Sequence, residues 1–250
     1  MMMGGHLWRG AGFPRILPLA MVAVALATAA PAARADLTAD RLVIEVDGPD
    51  ETRQDITLGN TGQDTLYVDV TVEEILARQD GPAEARRGAP DELGLLVTPN
   101  RLILAPGERR VVRAVVLERP TSRERTYRLA LRPMVGEIVA DGSAPTGGKA
   151  ANIKVLVGYQ AYMFVRPVAI QEQLDATREG RTIRFNNSGN TSVFMDNGQL
   201  CPSSNARAED CAALPSRRIF AGQQWTLPLP GDGSVSYTVE SPSGREPREF

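Results

Sequence analysis

Apart from His6 the sequence contains no histidine, it has only two cysteines, and aromatic residues make up 5% of its 250 positions. Without a histidine in the body of the chain there is no Ser–His or Cys–His pair, the commonest route to nucleophilic hydrolysis. Two cysteines without a nearby histidine are a poor ligand set for zinc, and no other spacing of ligand residues suggests a metal or an organic cofactor. Aspartate and glutamate are plentiful but scattered, as solvated surface carboxylates are, and nothing marks an acid–base pair. The expectation is a protein that is not an enzyme and uses no cofactor. A basic excess is also missing, because the formal net charge is -2, which argues against nucleic acid as a partner.

Long apolar runs are scarce as well. The one sustained run, Ile16 to Ala30, follows Arg9 and Arg15 and precedes Ala33-Arg34-Ala35, the small-x-small pattern of an export signal. Cleavage after Ala35 would leave a chain that starts at Asp36, carries 25 basic against 30 acidic residues, and has no segment near the roughly 18 to 20 apolar residues that span a bilayer. The expected product is exported and not embedded in a membrane. In an oxidising compartment Cys201 and Cys211 are expected to form a disulfide closing a short loop rather than remain free thiols.

What the sequence does have is short β-branched runs divided by turn residues. Arg41 to Val46, Gln54 to Leu58 and Leu66 to Val72 read as strands, the last with Leu66, Val68, Val70 and Val72 on one face. Leu95 to Val116 reads as a strand, a turn at Ala105-Pro106-Gly107-Glu108, and a second strand, with proline presetting φ and glycine accepting positive φ. Arg78 to Glu92 reads as a mobile polar loop, Tyr127 to Leu131 as a strand, and Gly136 to Ala151 as a flexible break. Asn152 to Val165 alternates over about fourteen residues, a longer strand than one domain core requires, and Arg166-Pro167 ends it. A second, smaller and more polar series follows at Thr182 to Phe185, Ser192 to Phe194, Ile219 to Leu229 and Ser234 to Val239. The spacing predicts an all-β chain of two sandwich domains.

The order of these pieces resembles the periplasmic pilus-assembly chaperones of the chaperone/usher family over essentially the whole exported chain. The block from Thr98-Pro99 through Leu104-x-Pro106-Gly107-Glu108 to Arg113 carries most of the likeness. Leu96-Val97-Thr98-Pro99, Thr126-Tyr127-Arg128, the Asn186 to Asn190 turn and the Cys201/Cys211 pair are most like the alpha-fimbria, colonisation-factor-type branch. The resemblance implies two immunoglobulin-like β-sandwich domains in a boomerang arrangement: a signal peptide at 1–35, an N-terminal chaperone domain at 36–166 and a C-terminal domain at 167–250. It implies a periplasmic chaperone that binds fimbrial (pilin) subunits by donor-strand complementation and hands them to an outer-membrane usher. A secreted structural or adhesive β-sandwich protein is the alternative reading.

The resemblance also assigns residues. Ile153, Val155, Val157 and Tyr159 would be the donor-strand side chains. Arg41 and Tyr162 would anchor the subunit's terminal carboxylate, although Tyr162 stands where the family has a lysine and brings no charge. Glu124, Arg166 and Glu240 would form an ionic cluster between the domains, since one guanidinium can engage two carboxylates through separate donors.

Overall fold

The computed structural model describes residues 37–48, 50–120, 122–135, 155–203 and 206–250. The predicted export signal, the 136–151 break and Ile153 lie outside them. The first ten strands are β1 (Leu37–Ala39), β2 (Val43–Val46), β3 (Arg53–Asn60), β4 (Leu66–Leu76), β5 (Glu84–Arg86), β6 (Leu95–Thr98), β7 (Arg101–Leu104), β8 (Arg109–Val116), β9 (Arg125–Val135) and β10 (Tyr159–Val165), with a one-turn helix α1 (Pro90–Leu93) before β6. They form two facing sheets. One runs β1-β3-β8-β6, and the other β2-β10-β9-β4, with β5 and β7 sharing the far edge of β4.

Alternation builds the first core. Leu66, Val68 and Val70 of β4 point inward with Ile56 and Leu58 of β3 and Leu129 of β9, each nearly or fully buried, because successive side chains on a strand face opposite sides of the sheet. The chain between 95 and 116 departs from a simple hairpin. β6 and β8 pair in one sheet, whereas β7 pairs with β4 in the other. The turn at Ala105–Glu108 therefore carries the chain between layers. Gly107 adopts φ +76° there, and the Glu108 carboxylate accepts the Ala105 N–H at 2.8 Å. Proline at 99, which has no N–H to give a ladder, marks the preceding change of sheet.

The expected loop at 78–92 holds structure of its own. Arg86 and Arg87 reach Glu74 and Glu73 of β4, and these ties dock β5 and α1 onto the sheet. Its composition is polar because it is fastened by ions rather than by apolar burial.

The second half comprises β11 (Leu174–Glu179), β12 (Thr182–Asn187), β13 (Val193–Cys201), β14 (Ala212–Leu214), β15 (Arg217–Ile219), β16 (Gln224–Pro228), β17 (Ser234–Ser241) and β18 (Gly244–Glu249). One sheet runs β11-β12-β16 and the other β14-β13-β17-β18, with β15 also on β13. The predicted strand from Ile219 to Leu229 is broken in two. A turn in which Gln223 N–H donates to the Phe220 carbonyl at 3.0 Å sends β15 and β16 to different sheets. Phe185 anchors this smaller core, with Trp225, Tyr237 and Phe250 rings 5.3, 5.6 and 5.1 Å away. Such aromatic contacts bury large area with few residues. Cys201 and Cys211 are disulfide-bonded, fastening the end of β13 to the segment leading into β14.

Candidate functional site: an uncovered strand edge beside an ionic joint

The leading strand is split between the two sheets, and the split creates the candidate site. β1 pairs antiparallel with β3, while β2, three residues later, pairs parallel with β10. Crossing between layers at Asp40 to Leu42, β2 covers β10 only from Tyr162 to Val165, the Tyr162 N–H donating to the Leu42 carbonyl at 2.8 Å. Tyr159 to Ala161 pair with β9 on one side and, among the described residues, with nothing on the other. A strand edge with free N–H and C=O groups is a template for another strand.

Before Tyr159 the chain continues without a ladder through Val155–Gly158. Gly158 passes so near β9 that a Cβ there would sit 2.9 Å from the Leu131 carbonyl oxygen, so the segment runs along the sheet. Val155 is 79% exposed and Val157 43% exposed. Regular β10 is therefore shorter than the run predicted from Asn152. Tyr159 parts from its expected companions, because it packs against the first core in line with the buried Ala161, Met163 and Val165. Between them Leu156 packs against the first core, while Val155 and Val157 stand out toward solvent.

Of the two expected anchor residues, Arg41 lies at the crossing, half exposed, with Asp40 3.5 Å away. Tyr162 stands on the outer face opposite Val43 and Arg128. Register sets Arg128 of β9 directly beside it, a residue given no anchoring role from the sequence. Arg128 and Arg87 both hydrogen-bond Glu73 and hold its carboxyl below the usual range. A cation thus stands beside the uncharged Tyr162, offered by the neighbouring strand. The signal was available in the strand register, not in the residue types along 152–165.

At the other end of β10 the predicted cluster forms with different members. Arg166 is 2% exposed, and its guanidinium donates to Glu124 at 2.9 Å, Glu45 at 2.6 Å and Asp47 at 2.7 Å. Glu240 is not among its partners; it lies on β17 opposite Phe194 and Arg245. The role expected of Glu240 is taken by the second half's backbone. Ser192 N–H donates to the Glu124 carboxylate at 3.3 Å, and Glu124 N–H donates to the Asn190 carbonyl at 2.8 Å. Burial raises the Glu124 carboxyl above its ordinary range, against the pull of Ser192 and Arg166. Arg218 adds a further tie, its guanidinium 4.4 Å from the centre of the Phe164 ring and 5.3 Å from that of Phe194. Arg113, without a role at sequence level, forms a two-point pair with Asp55, both contacts at 2.7 Å.

Among the described residues no group of three histidine, cysteine, aspartate or glutamate side chains could hold a metal ion, and no helix is long and apolar enough to cross a membrane. No family model matches the chain, and no curated protein matches it. Solved structures do. The class 5 fimbriae chaperone CfaA superposes with a TM-score of 0.60 at 14% identity, over 85% of this chain and 98% of that one. CsuC–CsuE, a chaperone–tip adhesion subunit pre-assembly complex from the archaic chaperone-usher Csu pili of Acinetobacter baumannii, gives 0.58 at 13% identity over 86% and 98%. The Pseudomonas aeruginosa CupB2 chaperone gives 0.55 at 18% identity over 85% and 98%. The chain has the fold of these fimbrial chaperones, a pair of immunoglobulin-like β-sandwiches.

Proposed function

We propose that this protein is an exported, periplasmic and non-enzymatic chaperone that completes fimbrial subunits by lending them the 153–161 edge and delivers them to an outer-membrane usher. The signal at 1–35 would direct export, and the sandwiches at 36–166 and 167–250 would hold the edge and brace it. The observation that carries the reading is the uncovered stretch ahead of Tyr162, with Val155 and Val157 held out in water. A subunit lacking one strand exposes unpaired backbone and apolar side chains, and an added strand satisfies both. Each valine buried in such a groove contributes on the order of 1.5 to 3 kcal/mol before ordering costs. Ile153 would supply a third side chain, while Tyr159 would set the depth of docking. Arg41 and Tyr162 would face the subunit's terminal carboxylate, with Arg128 furnishing the charge that tyrosine lacks. That chains of similar fold occur in complexes with a tip adhesin or a pilin supports a subunit-binding role.

The test is co-expression with a subunit encoded beside an usher gene. The wild-type chain should yield a soluble one-to-one complex. Val157→Glu and Val155→Glu should each lower its yield at least tenfold, about 1.4 kcal/mol or more, while the free variants keep the wild-type unfolding midpoint. A complex indifferent to both substitutions would move the binding site elsewhere.

A further inference from the structure

The segment that joins β4 to β5 leaves its own sandwich and touches the second. Gln224 N–H, at the start of β16, donates to the Gln79 carbonyl at 2.7 Å, and the Gln223 side-chain amide donates to the Gly81 carbonyl at 3.2 Å. β16 is the last strand of its sheet, so the Gln79 carbonyl takes an N–H that an end strand would otherwise offer to water. Gln223 is 2% exposed although its side chain is polar, and its Oε1 accepts the Phe220 N–H at 3.2 Å. Both ends of that buried amide are met, and the hairpin supplies one of the two partners. The same turn receives Arg123. Gly222 adopts φ +72° there, and a Cβ on it would sit 3.0 Å from the Arg123 guanidinium.

These contacts lie toward the other edge of the sheet from the Arg166 cluster. In the order β2-β10-β9-β4-β5, Arg166 follows β10 while the hairpin springs from β4 and β5, two to three strand spacings away, or roughly 10 to 14 Å. Between them lies a cavity of about 430 Å³ that reaches from Glu124 to Ile75, Leu76 and Ala77 on the first sandwich and meets Phe220 and Ala221 on the second. The joint is therefore held at separated points. A single tie, the Arg166 cluster with Asn190 and Ser192, is a point about which two rigid bodies can pivot, and relative motion is the ordinary behaviour of domains without a large apolar interface. A second tie set at a distance removes that freedom.

We propose that the β4–β5 hairpin is a strap that fixes the angle between the two sandwiches, with Gln79, Gly81 and Gln223 as its fastening. Arg78 and Glu84 pair across the base of the hairpin, and Gly81 adopts φ +91°, which lets the tip reverse and leave its carbonyl to Gln223. The hairpin gives the second half two main-chain carbonyls, which is why nothing in the residue types at 78–83 announces the tie. Strap and strand edge are separate, and the strap would act whether or not the 153–161 edge takes a guest.

Spin labels at Arg109→Cys on β8 and Thr177→Cys on β11, both exposed, report the spacing of the sandwiches by double electron–electron resonance on the full chain. Cys201 and Cys211 are bonded to each other and leave only the introduced thiols to react. The labelled parent should give one narrow distance distribution. Exchanging residues 77–83 for a two-residue Asn-Gly turn, which keeps the Leu76–Glu84 rung, should broaden that distribution at least twofold, and Gln223→Ala should broaden it about half as much. An unchanged width in the trimmed chain would overturn the proposal. Should the trimmed chain fail to fold, as far-UV circular dichroism would show, Gln223→Ala decides alone, and an unchanged width in it would overturn the proposal equally. So would a broad distribution already in the labelled parent, because the angle would then not be fixed at all.

Discussion

Replacing Arg166 with alanine should destabilise the protein strongly, and the loss should depend on pH in a defined direction. Two of its three carboxylate partners, Glu45 and Asp47, have side chains 41% and 53% exposed, so water takes over their solvation. Glu124 cannot be rescued that way, since its side chain is 2% exposed. Removing one member of a buried pair costs about 3 to 5 kcal/mol because the other charge is left uncompensated. Glu124 is already raised above its ordinary range by burial, and losing the guanidinium raises it further. A carboxyl whose folded pKa lies above its unfolded value favours folding fully only below the unfolded value, and that contribution disappears as pH rises through the folded pKa. The deficit of Arg166→Ala should therefore be small near pH 4.5 and widen toward pH 8, by up to about 1.4 kcal/mol per pH unit. Urea unfolding across this range measures it. Trp225 is the only tryptophan beyond residue 8 and reports the second core, while far-UV circular dichroism reports both. The double variant Glu124→Leu, Arg166→Met should recover most of the loss, as no buried charge remains. A deficit below about 1 kcal/mol at pH 8, or one that does not change with pH, would refute the reasoning.

Three further outcomes follow from other contacts. Tyr127→Phe removes the hydroxyl that donates to the Leu93 carbonyl at 2.6 Å, leaving a buried acceptor unmet, and should cost about 1 to 3 kcal/mol in urea unfolding. Burial pushes the Tyr127 phenol upward and that of Tyr237 up to about 12. Both lie above the unfolded value near 10, so stability should fall as pH climbs past that point, and absorbance at alkaline pH should show these two phenolates forming only with unfolding. Cys201→Ala/Cys211→Ala opens a bridge between residues ten apart in sequence, and the chain-entropy estimate gives a loss of roughly 2 to 3 kcal/mol. Differential scanning calorimetry should show that loss in the second-core transition alone.

The two-sandwich architecture was legible because its cause is local. Period-two alternation at Leu66, Val68 and Val70, turn chemistry at Gly107, and the Arg166-Pro167 stop are each visible within a few residues. What escaped was set by distant partners. Nothing within Leu95–Val116 tells that β7 and β8 belong to opposite sheets, since either could pair across the turn. The 78–92 segment looked unstructured because its anchors, Glu73 and Glu74, lie on another strand. Arg166 and Glu124 were legible as a pair from the resemblance, but Glu45 and Asp47 came in with the crossing strand, and Ser192 contributes only backbone. Val155 and Val157, expected from alternation to be offered outward, stand exposed, whereas Tyr159, of the same parity, packs against the first core because the ladder of β10 begins there. Arg128 could be seen only once register placed it against Tyr162.

The layer change of the opening strand at Asp40–Leu42 has an effect on whatever guest seats there. With β2 already occupying the positions from Tyr162 onward, a backbone added along the proposed edge would meet a hard stop after Ala161. Under the proposed function, seating depth would be measured from the host's own fold and not from any match to the guest's residues. Clients of unrelated sequence would come to rest at one common position, their final carbonyls always arriving at the same rung.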